Sequence, residues 1–309
     1  MRSLLLASVA VFSLGVACRR HAPTSAPGAS ASASAGEFKS SFYASAPSSA
    51  GPAASTLLLS HSRSPVTLVV SDTNIALPFG YGGMRTFSYE SWAEWSFRHE
   101  MGETAPAPDG GAVCTREIKV TPVAWITPLL GLREDIYQTC PEEAHPGGET
   151  RVTTLAIDID RHSQGPPRPV LLTEIFDARV VYEALRHDDL VVKALHGTDI
   201  PTELGALVNA LAETPPVVDG KHCYSFPSDL LARFVLHHSE GTYVAVRLGL
   251  PGAGPCRYEL TEIGLLLKMP EALKPALEHM GENTGSFFVT DRPDKAKTAV
   301  VHVTARAPD

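Results

Sequence analysis

Basic residues are few in this chain, 26 Lys and Arg against 34 Asp and Glu in 309 residues, and nowhere do they gather with interleaved aromatics. That argues against a nucleic-acid partner. No GxSxG, SxxK, HExxH or GxxxxGK is present, and no GxGxxG follows a strand-like run. The usual signatures of nucleophilic, zinc, phosphate and dinucleotide chemistry are therefore missing. The five cysteines never come as CxxC, and the chain carries no internal repeat. With 19% charged and 44% hydrophobic residues the bulk of the chain is ordinary globular material, and its formal net charge is −8. Such an acidic excess serves solubility first and would steer a cationic partner rather than an anionic one.

What is there begins with an address. A lone Arg2 precedes the apolar run Leu4–Ala17, too short to span a membrane, and Gly15, Val16 and Ala17 lead into Cys18. A charged start, an apolar stretch and small residues before a cut site are the parts of a secretory signal. The segment resembles a bacterial lipoprotein signal, in which the Cys18 thiol is lipidated and becomes the mature N-terminus, although Leu14 stands four places before the Cys and Gly15 three. The plainer reading is a secreted protein cut near Ala17. Both send the chain out of the cytoplasm. From His21 to Gly36 almost everything is Ala, Ser, Pro or Gly, a composition with nothing to bury. We read residues 1–18 as signal, 19–55 as tether and 56–309 as the folded domain. A tether of that length has an end-to-end distance of roughly 35 Å.

Export changes what the remaining cysteines mean. Cys114, Cys140, Cys223 and Cys256 are an even set in an oxidising compartment, which points to disulfides before metal. Of three connectivities, Cys114–Cys140 with Cys223–Cys256 closes two loops, each inside one antiparallel segment. Each loop would contribute roughly 3 to 4 kcal/mol through the unfolded chain.

The folded part reads as β-rich first and mixed afterwards. Val66–Val70, Val113–Val120 and Val123–Thr127 are strand-like, the last two separated by Pro122. Phe87–Met101 suits a helix or a strand, with Trp92 and Trp95 expected in the core. Leu155, Ile157 and Ile159 alternate with polar or small residues, as on a half-buried strand. Val181, Leu185, Val192 and Leu195 predict a helix broken near Asp188. Leu204, Leu207, Val208 and Leu211 predict an amphipathic helix entered through Pro201 and Thr202. Ala232–Ser239 and Thr242–Leu250 flank Glu240-Gly241, a two-residue hairpin turn that would set Val235, His237, Val244, Val246 and Leu248 on one face. Ile263 to Met269 predict a strand stopped by Pro270, and Leu273, Leu277 and Met280 a short helix. Ser286–Thr290 and Thr298–Thr304 predict closing strands. The fold class expected is α+β, a mainly antiparallel sheet with helices inserted between strands.

The order of segments is itself suggestive. Glu143-Ala144-His145-Pro146-Gly147, then Val152–Asp160 as strand, then Val170-Leu171-Leu172-Thr173-Glu174-Ile175-Phe176 leading to a helix resembles the extracytoplasmic domain shared by RsiV-type anti-sigma factors and PdaC-type cell-wall proteins. Arg233–Ser239, Glu240-Gly241, Thr242–Leu250 and Ile263–Pro270 are similar to that family's hairpin and final strand. The likeness runs over roughly residues 112 to 280. Glu142 and Glu143 stand where the family has paired glycines, and Pro251–Cys256 replaces an aromatic loop. The resemblance implies binding: a lysozyme in the RsiV case, or a wall component. It makes the turn at Glu142, Glu143 and His145 the candidate binding element, on a lipid-anchored envelope protein with no cofactor, no bound metal and no catalysis.

Three clusters keep an enzyme in view. His187-Asp188-Asp189, His237-His238 and His145 supply groups that titrate or coordinate near neutral pH. Adjacent residues on a helix diverge by about 100°, so Asp188 and Asp189 should not converge. On a regular strand His237 and His238 would face opposite ways. The alternative to a binding module is thus a wall-acting hydrolase with a site that no sequence motif reveals.

Overall fold

The computed structural model describes residues 69–70, 73–79, 83–100, 113–141, 146–157, 168–196, 199–218, 223–252, 259–278, 280, 286–291, 293 and 297–306. All belong to the unit Ser40–Asp309. Cys18, the signal, Glu142, Glu143, His145 and Cys256 lie outside the described residues.

The central scaffold is a long antiparallel hairpin of β4 (Val113–Ile126) and β5 (Leu129–Thr139). It is extended by β6 (Gly147–Ala156) and β7 (Arg168–Pro169) on one side. On the other side β13 (Phe287–Phe288) and β14 (Ala299–Arg306) both pair with β4. The expected break at Pro122 does not occur: β4 runs through it as one strand. The reason is local. β14 pairs with β4 only as far as Val120 and β13 only from Ala124, so Pro122, which lacks an N–H, sits in the gap between the two partners. The ladder to β5 shifts register between Pro122 and Ala124, and that bulge at Val123 reverses the alternation. Ile118 and Val120 enter one core before it, and Trp125 enters the same core after it, while Ala124 and Ile126 enter the opposite one.

The large sheet thus has a core on each face. On the first, α1 (Tyr89–Glu100) lies with β14 and the ends of a small sheet, β1 (Val69–Val70), β2 (Asn74–Phe79) and β3 (Gly83–Ser88). The ambiguous Phe87–Met101 segment is this helix. Trp92 is buried, and Trp95 stacks on it at 5.2 Å with part of its ring exposed.

On the second face stands the three-stranded sheet of β10 (Phe234–Glu240), β11 (Tyr243–Pro251) and β12 (Leu260–Lys268). Its inner residues Leu236, Val246 and Leu265 meet α2 (Leu172–Ile175), α3 (Ala178–Leu185), α4 (Asp189–Ala194) and α5 (Leu204–Ala212) in one core. A two-stranded pair, β8 (Val217–Val218) with β9 (Cys223–Tyr224), and the short α6 (Lys274–Glu278) complete the described elements. The helix predicted to break near Asp188 does so: Asp188 ends the break as the N-cap of α4, its carboxylate accepting from the Leu190 and Val191 amides. The architecture is α+β with antiparallel sheets, as the sequence predicted.

Two corrections concern the β10–β11 hairpin. Its turn is Gly241-Thr242, closed by the Glu240–Tyr243 pair, one residue later than expected, with Gly241 at φ 59°. The predicted shared face of Val235, His237, Val244, Val246 and Leu248 therefore does not form. Phe234 and Leu236 join Val244, Val246 and Leu248 inside, opposite Leu248 and Val246 respectively, while Val235 pairs with Arg247 on the other side.

Cys114 and Cys140 are joined at 2.01 Å, one step beyond the Thr115–Thr139 pair at the open end of the β4–β5 hairpin. Cys223 is disulfide-bonded as well. No helix of the described residues is long and apolar enough to cross a membrane.

Candidate functional site

Two polar clusters stand out, and they are built on different principles. The first lies between α1 and the large sheet. Glu100, at the end of α1, accepts from Arg116 Nη1 at 2.6 Å and from Arg151 Nη1 at 2.5 Å. Arg151 Nε also donates to Glu134 at 2.9 Å, and its Nη2 reaches Ser96 at 3.0 Å. Glu134 takes a further bond from Trp92 Nε1, and Arg116 donates to Gln138 and lies over the Phe97 ring. These carboxylates are sealed from water: the Glu100 side chain is 2% exposed and that of Glu134 0%. Burial alone would raise the Glu100 pKa, but Arg151 and Arg116 outweigh it and bring it down to about 2. Arg151 loses some basicity to burial and regains more from Glu100, Glu134 and Glu149, so it is held well above its usual range. Burial lowers Arg116 despite Glu100, and a guanidinium keeps its proton regardless. Each acceptor and donor here meets another protein group. Such a closed network fixes a helix on a sheet and has no valence left for a substrate.

A smaller joint repeats the theme. Arg233 donates to Asp229 at 2.8 Å and to Glu149 of β6, which ties the approach to β10 onto the large sheet.

The second cluster lies on the outer face of β10–β12. The register shifts between Leu236 and His238, so His237 is the extra residue of a β-bulge. That overturns the expectation from a regular strand: the two imidazoles turn to the same place, their Nδ1 atoms 2.7 Å apart. His238 pairs with Ala245, and Arg247 is two residues further along β11 on the same face. Burial lowers the His237 pKa, Arg247 and His238 add to that, and Asp291 opposes it. Two ring nitrogens in hydrogen-bond contact can share one proton and do not both carry one. The bulge is pinned from behind by Thr290, whose hydroxyl lies 3.4 Å from the His237 carbonyl.

Arg247, half-buried, differs from the arginines of the two joints. Arg116, Arg151 and Arg233 each meet carboxylates, whereas Arg247 meets none among the described residues, and its Nε is buried without a hydrogen-bond partner. Its guanidinium lies across Gly264 of β12, where a Cβ would run into Nη1. Only glycine leaves that space. Along the same face, Val235 packs toward Gly131 and Gly249 toward Val152, so the large sheet covers one end. Tyr243, 44% exposed, and Leu266, 49% exposed, form the uncovered end. Arg247 and the histidines sit at the rim between them.

The other sequence candidates separate. His187 Nδ1 lies 2.7 Å from the Glu183 carbonyl of its own helix, and Asp188 is spent as a cap with its pKa raised by burial. They do not converge with Asp189. Among the described residues no three His, Cys, Asp or Glu side chains gather as a metal centre. Sequence reasoning named His237 and His238 but missed Arg247 and Gly264; the signal would have been an Arg and a Gly set opposite each other in two strands, which needs the register.

Compared with protein-family models, with curated proteins and with solved structures, the chain matches none.

Proposed function

We propose that this chain is an exported binding module of the bacterial cell envelope, anchored through a lipid on Cys18, held off the membrane by residues 19–55, and binding a wall component through its folded part. The resemblance to RsiV- and PdaC-type extracytoplasmic domains supports binding over catalysis. The observation that carries the reading is the oxidised state of Cys114, Cys140 and Cys223, which belongs with an oxidising compartment. Among the described residues the network under α1 is fully partnered, whereas Arg247 at the rim of the β10–β12 face meets no carboxylate. A wall component is favoured over a cationic lysozyme-like partner because Arg247 meets no carboxylate among the described residues.

Mass spectrometry of the full chain recovered from its own membranes should show a lipidated Cys18 terminus and oxidised cysteines downstream. An intact Met1 with free thiols would end the proposal. Co-sedimentation with wall fragments and with lysozyme separates the two partner classes, and the Glu142→Ala/Glu143→Ala pair reports on the turn that the resemblance singles out. A hydrolase has one observation in its favour, the His237–His238 contact beside a guanidinium. Release of soluble sugar or peptide from wall fragments, abolished by His238→Gln, would establish that reading instead.

A further inference from the structure

We infer that Arg247, cradled over Gly264 and flanked by the His237–His238 bulge, is a receptor for a carboxylate borne by the wall ligand. The inference rests on the envelope-binding reading and adds the chemistry of recognition. Three features point the same way. First, a guanidinium is a planar fork matched to two oxygens, and among the described residues Arg116, Arg151 and Arg233 are filled by carboxylates of the chain while Arg247 is not. The Nε is buried, so an incoming carboxylate would meet the terminal Nη atoms of the fork. Second, Gly264 leaves the guanidinium room to lie flat against the sheet. Across Ala245 from the same strand, Leu266 and then Tyr243 and Lys268 continue the platform. A ligand body laid along these strands with its acidic end at Arg247 fits a surface of that sequence. Third, the local charge is small. Arg247 and Lys268 share the face with the exposed Glu262, burial and then Arg247 lower the His237 pKa, and the Asp291 carboxylate acts against that. Surroundings of such balanced charge suit a singly charged carboxylate better than a doubly charged phosphate.

The imidazole pair adds direction. With their Nδ1 atoms engaged with each other, the rings have their Nε2 atoms left for a ligand, and an Nε2–H can donate to the second ligand oxygen or to a neighbouring amide. No bond is made or broken; the site recognises and holds.

The test uses the full chain and a soluble muramyl dipeptide, whose free carboxylate can be compared with the otherwise identical amide, and inorganic phosphate as a third probe. Calorimetry gives affinity, and the imidazole nitrogen–proton NMR signals of His237 and His238 report location. The acid form should bind and shift both imidazoles. The amide should bind at least tenfold more weakly, Arg247→Gln should weaken the acid form by a similar factor, and it should leave the amide unchanged. Arg247→Lys, which keeps the charge and loses the fork, should fall between. Gly264→Ala, which retains Arg247 but takes its bed, should also weaken the acid form; an unchanged far-UV spectrum and melting point certify that each variant is folded. Equal binding of acid and amide, or of wild type and Arg247→Gln, overturns the carboxylate site while the binding-module reading stands. Tighter binding of phosphate overturns it also. Failure of every probe together with failure to sediment with wall fragments removes both.

Discussion

The two polar clusters of this protein make a controlled comparison, since both combine arginine with partly or wholly buried surroundings on an antiparallel sheet. Under α1 each guanidinium is met by carboxylates, and the side chains come from four elements separated by up to 55 positions along the chain. At the rim of β10–β12 one guanidinium rests on glycine with a buried nitrogen unsatisfied. The difference teaches how to tell a joint from a receptor. A joint has closed its hydrogen bonds within the chain, so removing one member strands the others. A receptor has left valences open, so removing it costs the fold little and the ligand much.

The largest effect should come from opening the joint. Arg151→Met leaves Glu100 with one cation and Glu134 with none of its charge compensated, both sealed from water. A loss of about 3 to 5 kcal/mol in unfolding free energy is expected from a stranded buried charge, read from denaturant midpoints. A loss under about 1 kcal/mol would mean that the network is solvated and the contrast false.

Next comes the staple on the same side of the sheet. Cys114 is in the core that α1 covers, and Gln138, which receives Arg116, reaches Cys140 at 3.4 Å. Replacing both cysteines by Ala opens a loop with sequence separation 26, which corresponds to about 3.5 kcal/mol on the chain-entropy account. Thermal or urea unfolding of the double variant against wild type measures it.

Acid should then unlock the joint selectively. Glu100 is brought from 4.5 down to about 2 in the folded protein. A depressed carboxylate contributes stability that is complete above its unfolded pKa and is lost as pH falls through the folded one. The loss therefore runs from about pH 5 towards pH 2 and amounts to about 3 kcal/mol. Glu100→Gln should flatten the stability profile over that interval, and a profile unchanged by the substitution would contradict the network's role.

How far these clusters could be read beforehand follows from what carries each. Periodicity exposed α5, β12 and the broken α3–α4 pair, because Leu207, Leu211, Ile263 and Leu265 are apolar at the right spacing and buried as that spacing demands. It did not expose β5. There Leu130, Leu132 and Ile136 share a face with Glu134 and Gln138, and the two polar residues interrupt the alternation that would have marked a strand. They are buried because Arg151, Trp92 and Arg116 meet them, and those partners are set by tertiary contact. The rim was half legible. His237-His238 is visible as a dipeptide, yet its geometry depends on a bulge and on a turn at Gly241-Thr242, neither of which the alternation marks. A slip of one position exchanges the faces of a strand, so the sequence put His237 among Val244 and Val246 when the fold puts it beside Arg247.

The smallest effect on stability is the sharpest test of the comparison. Arg247→Met removes a guanidinium that pairs with no carboxylate among the described residues, strands no partner, and deletes an Nε that is buried without a bond. The longer apolar stem of Met retains most of the packing that the Arg side chain provides over Gly264. Unfolding free energy should therefore move by less than about 0.5 kcal/mol, in either direction, in the same urea titration that reports the large loss for Arg151→Met. A loss comparable to that of Arg151→Met would make Arg247 a joint like the others. The same variant should lose the carboxylate probe, and a folded protein with an unaltered melting curve and a weakened ligand is the outcome that separates holding the chain together from holding something else.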